Sequence, residues 1–239
     1  MDRRTYLGTV GIAGLTGVAG CLEEVTGGGG TGNGTSDSGS PNTVLGPPEH
    51  GHDLSEASHP SYGEEFPAVS VPDPLTGETI STDQFEGERV TLLTFFYTNC
   101  PDGVCPLLID RLRYVQNAAA ENGYSDEAAL LAMTFDPERD SPDAIRTFGT
   151  QRGVDPDAGN FHFLRPESYE SAKQIVAETY GLPLEKEYDH DYENIEYTFP
   201  HLPYIFLVNK RGYLERVYLQ GSSMKMTRLA DDFETVVNA

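Results

Sequence analysis

The sequence predicts an α/β domain with a central, mostly parallel β-sheet, an antiparallel edge hairpin and helices on both faces. Segments rich in β-branched and aromatic residues alternate with amphipathic segments, a pattern that favours parallel strands with covering helices. The last two strands are joined by a short turn and therefore predict an antiparallel hairpin. At 239 residues, the chain is long enough for one such domain plus appendages.

The elements follow in order along the chain. Residues Val90–Tyr97 are almost wholly apolar or β-branched, which predicts a central strand buried on both faces. After a tight loop, apolar residues at helical spacing predict a helix with Pro106 at its first position and its end at Asn122-Gly123. The remaining predicted elements are candidate short strands around Phe66–Val71 and Glu78–Ile80, a strand at Ala128–Phe135, a helix from Ala144 to about Gln151, a strand at Asn160–Leu164, a helix at Ser168–Tyr180, a hairpin of Tyr204–Val208 and Tyr213–Leu219, and a helix from about Met224 to Val237.

Residues 1–21 indicate an export signal. Arg3-Arg4 precede a weakly apolar run, the twin-arginine pattern, and this run is too short to cross a bilayer about 30 Å thick. The run ends in Val18-Ala19-Gly20-Cys21, which resembles a lipobox, so Cys21 is the expected lipidation site. An amphipathic N-terminal helix is the alternative, which the glycines disfavour. We therefore expect an exported protein that is lipid-anchored to the outer face of the cell membrane.

Residues 22–60 predict a disordered tether, so the folded domain is expected over residues 61–239. The segment is rich in Gly, Ser, Thr, Asn and Pro, and it has too few large apolar residues to offset the entropy of ordering. His50 and His52 lie near its end, where two imidazoles could bind a transition metal weakly. Solvated linker histidines are the alternative interpretation, and it is the one that we favour.

The charge balance excludes one class of function. The chain has 38 acidic and 16 basic residues and a formal net charge of -22, so nucleic-acid binding is not expected. Such acidity is typical of proteins from salt-loving archaea, because in molar salt the Debye length falls to about 3 Å and self-repulsion is screened. An ordinary acidic, soluble surface is the alternative.

The cysteines indicate a redox or metal-binding site more than a stabilising disulfide. With Cys21 assigned to lipid, Cys100 and Cys105 remain as one local pair among the three cysteines. A disulfide across so short a loop removes little entropy from the unfolded chain, which favours redox or metal chemistry over a structural disulfide. A cysteine just before a helix is expected to have a lowered pKa, because the helix N-terminus favours the thiolate. A cysteine pair where the first buried strand meets its helix is typical of thioredoxin-like domains.

Three pieces together resemble the Sco/SenC family of copper proteins. They are the loop Thr98–Pro106 (TNCPDGVCP), the segment Asp136–Asp140 (DPERD) after the next strand, and His201 just before the hairpin. The resemblance implies a thioredoxin-like, membrane-tethered copper chaperone or thiol–disulfide reductase that helps to assemble the copper centre of cytochrome c oxidase subunit II. It also implies that Cys100, Cys105 and His201 are the ligands of copper, as Cu(I) or Cu(II).

One feature departs from the family pattern. Four residues separate the cysteines here, whereas the family loop usually has three. Gly103 is the apparent insertion, and glycine can take a positive φ and absorb an added residue as a bulge. We therefore expect both sulfurs still to reach one metal ion.

Other residues and functions complete the set of expectations. His162 is expected to be a core or surface residue, and His190 a solvated loop residue. Asp136 and Arg139 are expected to form an ion pair that pins a strand–helix corner near the site. A thiol–disulfide oxidoreductase that uses Cys100 and Cys105 is the alternative function, and a thiol peroxidase of the same fold is a third.

Overall fold

The computed structural model describes residues 40–48, 58–200 and 202–239. Cys21, His50, His52 and His201 lie outside these ranges, so the predictions made for them stay predictions. Within the described ranges, no helix is both long enough and apolar enough to cross a membrane.

The predicted α/β architecture is confirmed, with a five-stranded central sheet in the order β5-β4-β3-β6-β7 and a separate two-stranded sheet, β1-β2. Pairing is parallel for β3–β4 and β4–β5, and antiparallel for β3–β6 and β6–β7. Since β6 and then β7 each reverse direction, only β6 opposes β3, and the β6–β7 hairpin forms one edge. The strands are β1 Ser70–Pro72, β2 Thr79–Ser81, β3 Val90–Phe96, β4 Ala128–Thr134, β5 Phe161–Leu164, β6 Ile205–Val208 and β7 Leu214–Tyr218.

Helices cover both faces of this sheet, as predicted. The helices are α1 Val104–Asn122, α2 Pro142–Gln151, α3 Tyr169–Lys173 (continued by a π-helix, Gln174–Thr179) and α4 Met226–Val237. On one face, Phe148 of α2 stacks on Phe96 of β3 with ring centroids 5.5 Å apart. Phe95 points to the opposite face, because successive strand residues alternate, and its ring centroid lies 5.6 Å from that of Tyr180, just after the π-helix.

Two helices differ from their predicted form. α1 begins at Val104, not at Pro106, because Gly103 at its N-cap is left-handed with φ 78° and turns the chain into the helix two residues earlier. Cys105 therefore lies inside the first turn. The helix predicted at Ser168–Tyr180 continues as the π-helix, whose hydrogen bonds run from i to i+5, and the Tyr180 side chain that follows it is fully buried.

The end of the predicted disordered tether is partly ordered, which corrects the boundary expected at residue 61. Residues 40–48, called the strap below, dock on the domain through backbone N–H groups of Val44 and Leu45. These donate to the Glu215 carboxylate at 2.8 and 2.9 Å. Leu45 packs against the core and His59 is buried. Composition could not show this, because the carboxylate that satisfies the strap comes from a strand some 170 residues away in sequence.

Candidate metal centre

The two cysteines lie where β3 ends and α1 begins, on a loop shaped by Gly103. The positive φ expected for this glycine is confirmed at 78°. A Cβ added at Gly103 would meet no other atom within 4 Å. Glycine is therefore required here for its positive φ and not for lack of space. The loop thus absorbs its fourth intervening residue at the helix N-terminus.

The fold brings the two sulfurs together. The backbone N–H of Cys105 donates to Cys100 Sγ at 3.3 Å. Both thiols are free; Cys100 is half-buried and Cys105 is only 5% exposed. The Cys100 thiol also lies 3.1 Å from Asp102 Oδ1, and this carboxylate accepts a hydrogen bond from Val104 N at 2.9 Å. The longer loop therefore keeps the two cysteines adjacent.

The surroundings shift the pKa values of the two thiols in opposite directions. A hydrogen bond from the Cys105 side chain is the largest effect on Cys100 and lowers its pKa; burial opposes it, and the Cys105 backbone N–H adds to it. Burial raises the pKa of Cys105 well above its ordinary value, and the neighbouring Cys100 sulfur raises it further. Cys100 is therefore the sulfur that ionises first, and Cys105 holds its proton longer.

A buried carboxylate fixes the start of the cysteine loop. Asp140 is fully buried and accepts hydrogen bonds from Thr98 Oγ1 at 2.6 Å and from Thr98 N at 3.1 Å. Thr134 at the end of β4 donates to the same carboxylate. Burial raises the pKa of Asp140 to about 6, although these hydrogen bonds pull it back. The residue thus ties the loop to the neighbouring strand.

Tyr97 joins the cysteine loop to the chain that precedes His201. Burial raises the pKa of Tyr97, and both cysteine sulfurs raise it further, so the phenol lies in their electrostatic reach. Its hydroxyl forms a 2.9 Å hydrogen bond with Thr198 Oγ1, and its ring centroid lies 5.3 Å from that of Phe199. Leu202 is buried as well. The described residues on both sides of position 201 are therefore packed.

The predicted ion pair between Asp136 and Arg139 is confirmed. The fully buried Asp136 carboxylate accepts hydrogen bonds from Arg139 Nε and from the Tyr197 hydroxyl, the latter at 2.9 Å. Sequence reasoning named this pair but missed the roles of Tyr97, Tyr197 and Asp140. Asp140 lies within the DPERD segment itself, which was the signal available for it.

His162 agrees with its expectation, whereas His190 does not. His162 is buried, and its Nδ1 lies 3.2 Å from Asp73 Oδ2 on the side of the sheet that packs against Phe85. His190 was expected to be solvated, but it lies in the acidic loop beside Tyr192 with ring centroids 5.7 Å apart, and both of its ring nitrogens are buried without a hydrogen-bond partner among the described residues. In the part of the chain that the structure describes, no three His, Cys, Asp or Glu side chains form a metal-binding cluster. Of the three predicted ligands, that part contains Cys100 and Cys105.

Comparison with known proteins agrees with this architecture. A family model described as SCO1/SenC matches residues 56–238. No curated protein matches the chain. Three similar solved structures are a copper-bound ScoI of Bradyrhizobium japonicum, a copper-bound ScoI of Arabidopsis thaliana, and BsSco, whose description reports a disulfide switch.

These likenesses confirm the thioredoxin-like fold. The Bradyrhizobium structure is 21% identical with TM-score 0.57, covering 72% of this chain and 99% of its own. The Arabidopsis structure is 19% identical with TM-score 0.58, covering 74% and 100%. BsSco is 18% identical with TM-score 0.57, covering 75% and 95%.

Proposed function

The chain belongs to the SCO1/SenC family, and we propose that it binds copper as cargo and helps to assemble the copper centre of cytochrome c oxidase. The ScoI structures of Bradyrhizobium japonicum and Arabidopsis thaliana have copper bound, and BsSco is described as a member of a family of cytochrome c oxidase assembly proteins. These relatives support the proposal, and the chemistry of the paired cysteines supports it independently.

The observation that carries the proposal is the contact between the two cysteines at the N-terminus of α1, where Cys105 N lies 3.3 Å from Cys100 Sγ. Thiolates are soft ligands that suit Cu(I), and the positive end of a helix favours them. We assign Cys100 and Cys105 as two ligands and His201 as the third, an imidazole that also tolerates Cu(II). Both thiols must lose their protons to bind metal, so the raised pKa of Cys105 should make copper affinity increase with pH.

We also propose that residues 1–21 act as an export signal and that a lipid on Cys21 anchors the protein to the outer face of the cell membrane. Its partner would be subunit II of cytochrome c oxidase or a similar copper acceptor in the same membrane. A tethered domain meets a membrane-bound partner at raised effective concentration, which favours transfer between the two.

Copper affinity tests the ligand assignment. The reduced protein is titrated with Cu(I) in competition with a chromophoric chelator, and wild type is compared with Cys100→Ser, Cys105→Ser and His201→Ala. Each substitution should weaken binding, the cysteine variants most, because they remove a thiolate. His190→Ala, in the loop before His201, is the matched control and should bind like wild type. Equal affinities for wild type and His201→Ala would contradict the proposal.

A thiol–disulfide oxidoreductase is the second candidate, favoured by the unequal pKa values of the two thiols. The more exposed Cys100 would attack a partner disulfide as its thiolate, forming a mixed disulfide and releasing one partner thiolate. Cys105 would then lose its proton and attack Cys100 Sγ, which releases the second partner thiol. The cysteine pair ends as a disulfide, and its two electrons reduce the partner.

Metal-free kinetics separate this second function from copper binding. Reduced, copper-free protein is mixed with a disulfide substrate, and the release of thiol is followed. The oxidoreductase function predicts rapid release by wild type and by His201→Ala, none by Cys100→Ser, and an accumulated mixed disulfide with Cys105→Ser. Slow release by wild type, no faster than by a small free thiol, would exclude it.

A further inference from the structure

We propose that Arg139 and Asp136 form a positioning clamp that holds the cysteine side of the site and the chain leading to His201 in a fixed relation. This inference rests on the proposed copper function. Asp136 and Arg139 follow β4, whereas the cysteine loop follows β3 and the chain before His201 comes from the loop that precedes β6. The clamp therefore joins three segments that are distant in sequence.

On the side leading to His201, the clamp grips Tyr197. Arg139 Nη1 donates to the Tyr197 backbone carbonyl at 2.9 Å, and the guanidinium lies 3.9 Å from the centre of the Tyr197 ring. The hydroxyl of the same tyrosine donates to Asp136 Oδ1 at 2.9 Å. Tyr197 is thus held at its backbone, ring face and hydroxyl, four positions before His201.

On the cysteine side, the same guanidinium faces Tyr97. Its central carbon lies 5.7 Å from the Tyr97 ring centre and 5.9 Å from that of Phe199, both within the range of a cation–π contact. Tyr97 also contacts the chain before His201 directly, because its hydroxyl forms a 2.9 Å hydrogen bond with Thr198. Two residues after Phe199 the chain reaches His201, and three residues after Tyr97 it reaches Cys100.

The composition of the clamp argues for positioning more than for stability. Asp136 is fully buried, and a buried ion pair is weak evidence of a stability gain, since well-packed apolar residues often do as well. What an apolar replacement cannot do is hold a carbonyl, a hydroxyl and three rings in one geometry. Only a planar guanidinium donates in two directions while it stacks on aromatic faces, so lysine should not substitute.

A double-mutant cycle on Cu(I) affinity tests the clamp. Arg139→Gln is measured in the wild-type background and in the His201→Ala background, with Arg139→Lys as the charge-conserving variant. Groups that orient metal ligands typically contribute about 10–100-fold in affinity, and we expect a loss in that range in the wild-type background. In the His201→Ala background the loss should nearly disappear, because the ligand that the clamp positions is gone. Arg139→Lys should resemble Arg139→Gln.

A spectroscopic measurement adds a readout that a purely structural role would not change. In Cu(II)-loaded wild type, the electron paramagnetic resonance spectrum should show nitrogen hyperfine coupling from an imidazole, and Arg139→Gln should weaken or alter it. Arg152→Gln is the matched control, since Arg152 pairs with Asp110 between α2 and α1. It should change neither affinity nor spectrum.

The outcomes separate the clamp from the copper function. Equal losses for Arg139→Gln in both backgrounds, or no loss in either, would overturn the clamp while leaving copper binding intact. No effect of His201→Ala itself would instead overturn the ligand assignment. If Arg139→Gln does not fold, Tyr197→Phe removes only the hydroxyl and its hydrogen bonds to Asp136 and Glu138, and it should give a smaller loss with the same dependence on His201.

Discussion

The two ends of the central sheet are each secured by a fully buried carboxylate, but the two carboxylates serve different purposes. At the end where β3 begins, Glu215 of β7 holds the strap through backbone N–H groups of Val44 and Leu45. At the end where β3 finishes, Asp140 holds Thr98 at the start of the cysteine loop. Glu215 thus fixes a segment that is distant in sequence, and Asp140 orders the start of the cysteine loop.

The difference lies in what each carboxylate restrains. Glu215 also accepts a hydrogen bond from Asn209 Nδ2 at 2.6 Å, and Asn209 in turn donates to Asn42 O at 2.8 Å, so the strap is held by a closed polar network. Beyond Thr98, the cysteine loop reaches a left-handed glycine and two free thiols. The Glu215 and Asp140 carboxylates are equally buried. Glu215 fixes the strap, whereas Asp140 fixes only the start of a loop whose two thiols remain free.

The largest effect is expected from Glu215→Ala. The substitution leaves the N–H groups of Val44 and Leu45 without their acceptor, and charge-assisted hydrogen bonds are worth about 1.5–3 kcal/mol each. We expect the free energy of unfolding to fall by about 4 kcal/mol, with part of the loss recovered as the strap is solvated. Denaturant unfolding measures this change.

Copper affinity of the same variant sharpens the comparison, because the strap end should not influence the cysteine end. Glu215→Ala should bind Cu(I) like wild type. Glu178→Gln, which changes an exposed glutamate, is the control for loss of charge alone and should leave stability unchanged. A marked loss of copper affinity in Glu215→Ala would show that the two ends are coupled.

A second effect concerns pH at the cysteine end. Burial raises the pKa of Asp140 from its ordinary 3.8 to about 6. Between these values the folded chain keeps a proton that the unfolded chain has already released, so this contribution to stability is complete below pH 3.8 and is lost as pH rises through about 6. The shift corresponds to about 3 kcal/mol, at about 1.36 kcal/mol for each pKa unit.

Asp140→Asn provides the measurement, because a carboxamide does not titrate. The unfolding free energy of wild type minus that of the variant should fall by about 2.4 kcal/mol from pH 4 to pH 7, at constant high salt, because the contribution is already partly lost at pH 4. Asp136→Asn serves as a comparison at the other buried aspartate of this segment. A difference that is independent of pH would mean that Asp140 titrates alike in the folded and unfolded chains.

The smallest effect is expected from Gly103→Ala. Its backbone is left-handed at φ 78°, and a Cβ there meets no atom within 4 Å, so the cost is conformational only. This conformation costs about 1 kcal/mol or slightly more for a residue with a side chain. Gly77→Ala is a matched control, since Gly77 has φ 80° and equally open space.

Both glycine variants should lose similar stability in denaturant unfolding, and only Gly103→Ala should alter copper affinity. A loss of affinity in Gly77→Ala of the same size would show that the effect comes from general destabilisation and not from the cysteine loop.

The local features of this chain were predictable because short-range patterns encode them. The apolar run from Val90 indicated the central strand, and the glycine between the cysteines indicated a left-handed residue. Boundaries were less predictable: α1 starts at Val104 because its N-cap is Gly103, and not at the proline that suited a first position. The π-helix after Lys173 left no periodicity that would distinguish it from an ordinary helix.

The amino-acid sequence by itself determined the α/β order of elements, the cysteine pair at a helix start and the Asp136–Arg139 ion pair three residues apart. Only the tertiary structure decided that Asp140 holds Thr98, that Glu215 holds the strap, and that Arg139 contacts rings from two separate loops. The physical reason is the distance along the sequence over which each kind of interaction acts. Periodicity and turn preferences act within a few residues, whereas a buried carboxylate or guanidinium finds its partners only after packing has excluded water and brought distant segments together.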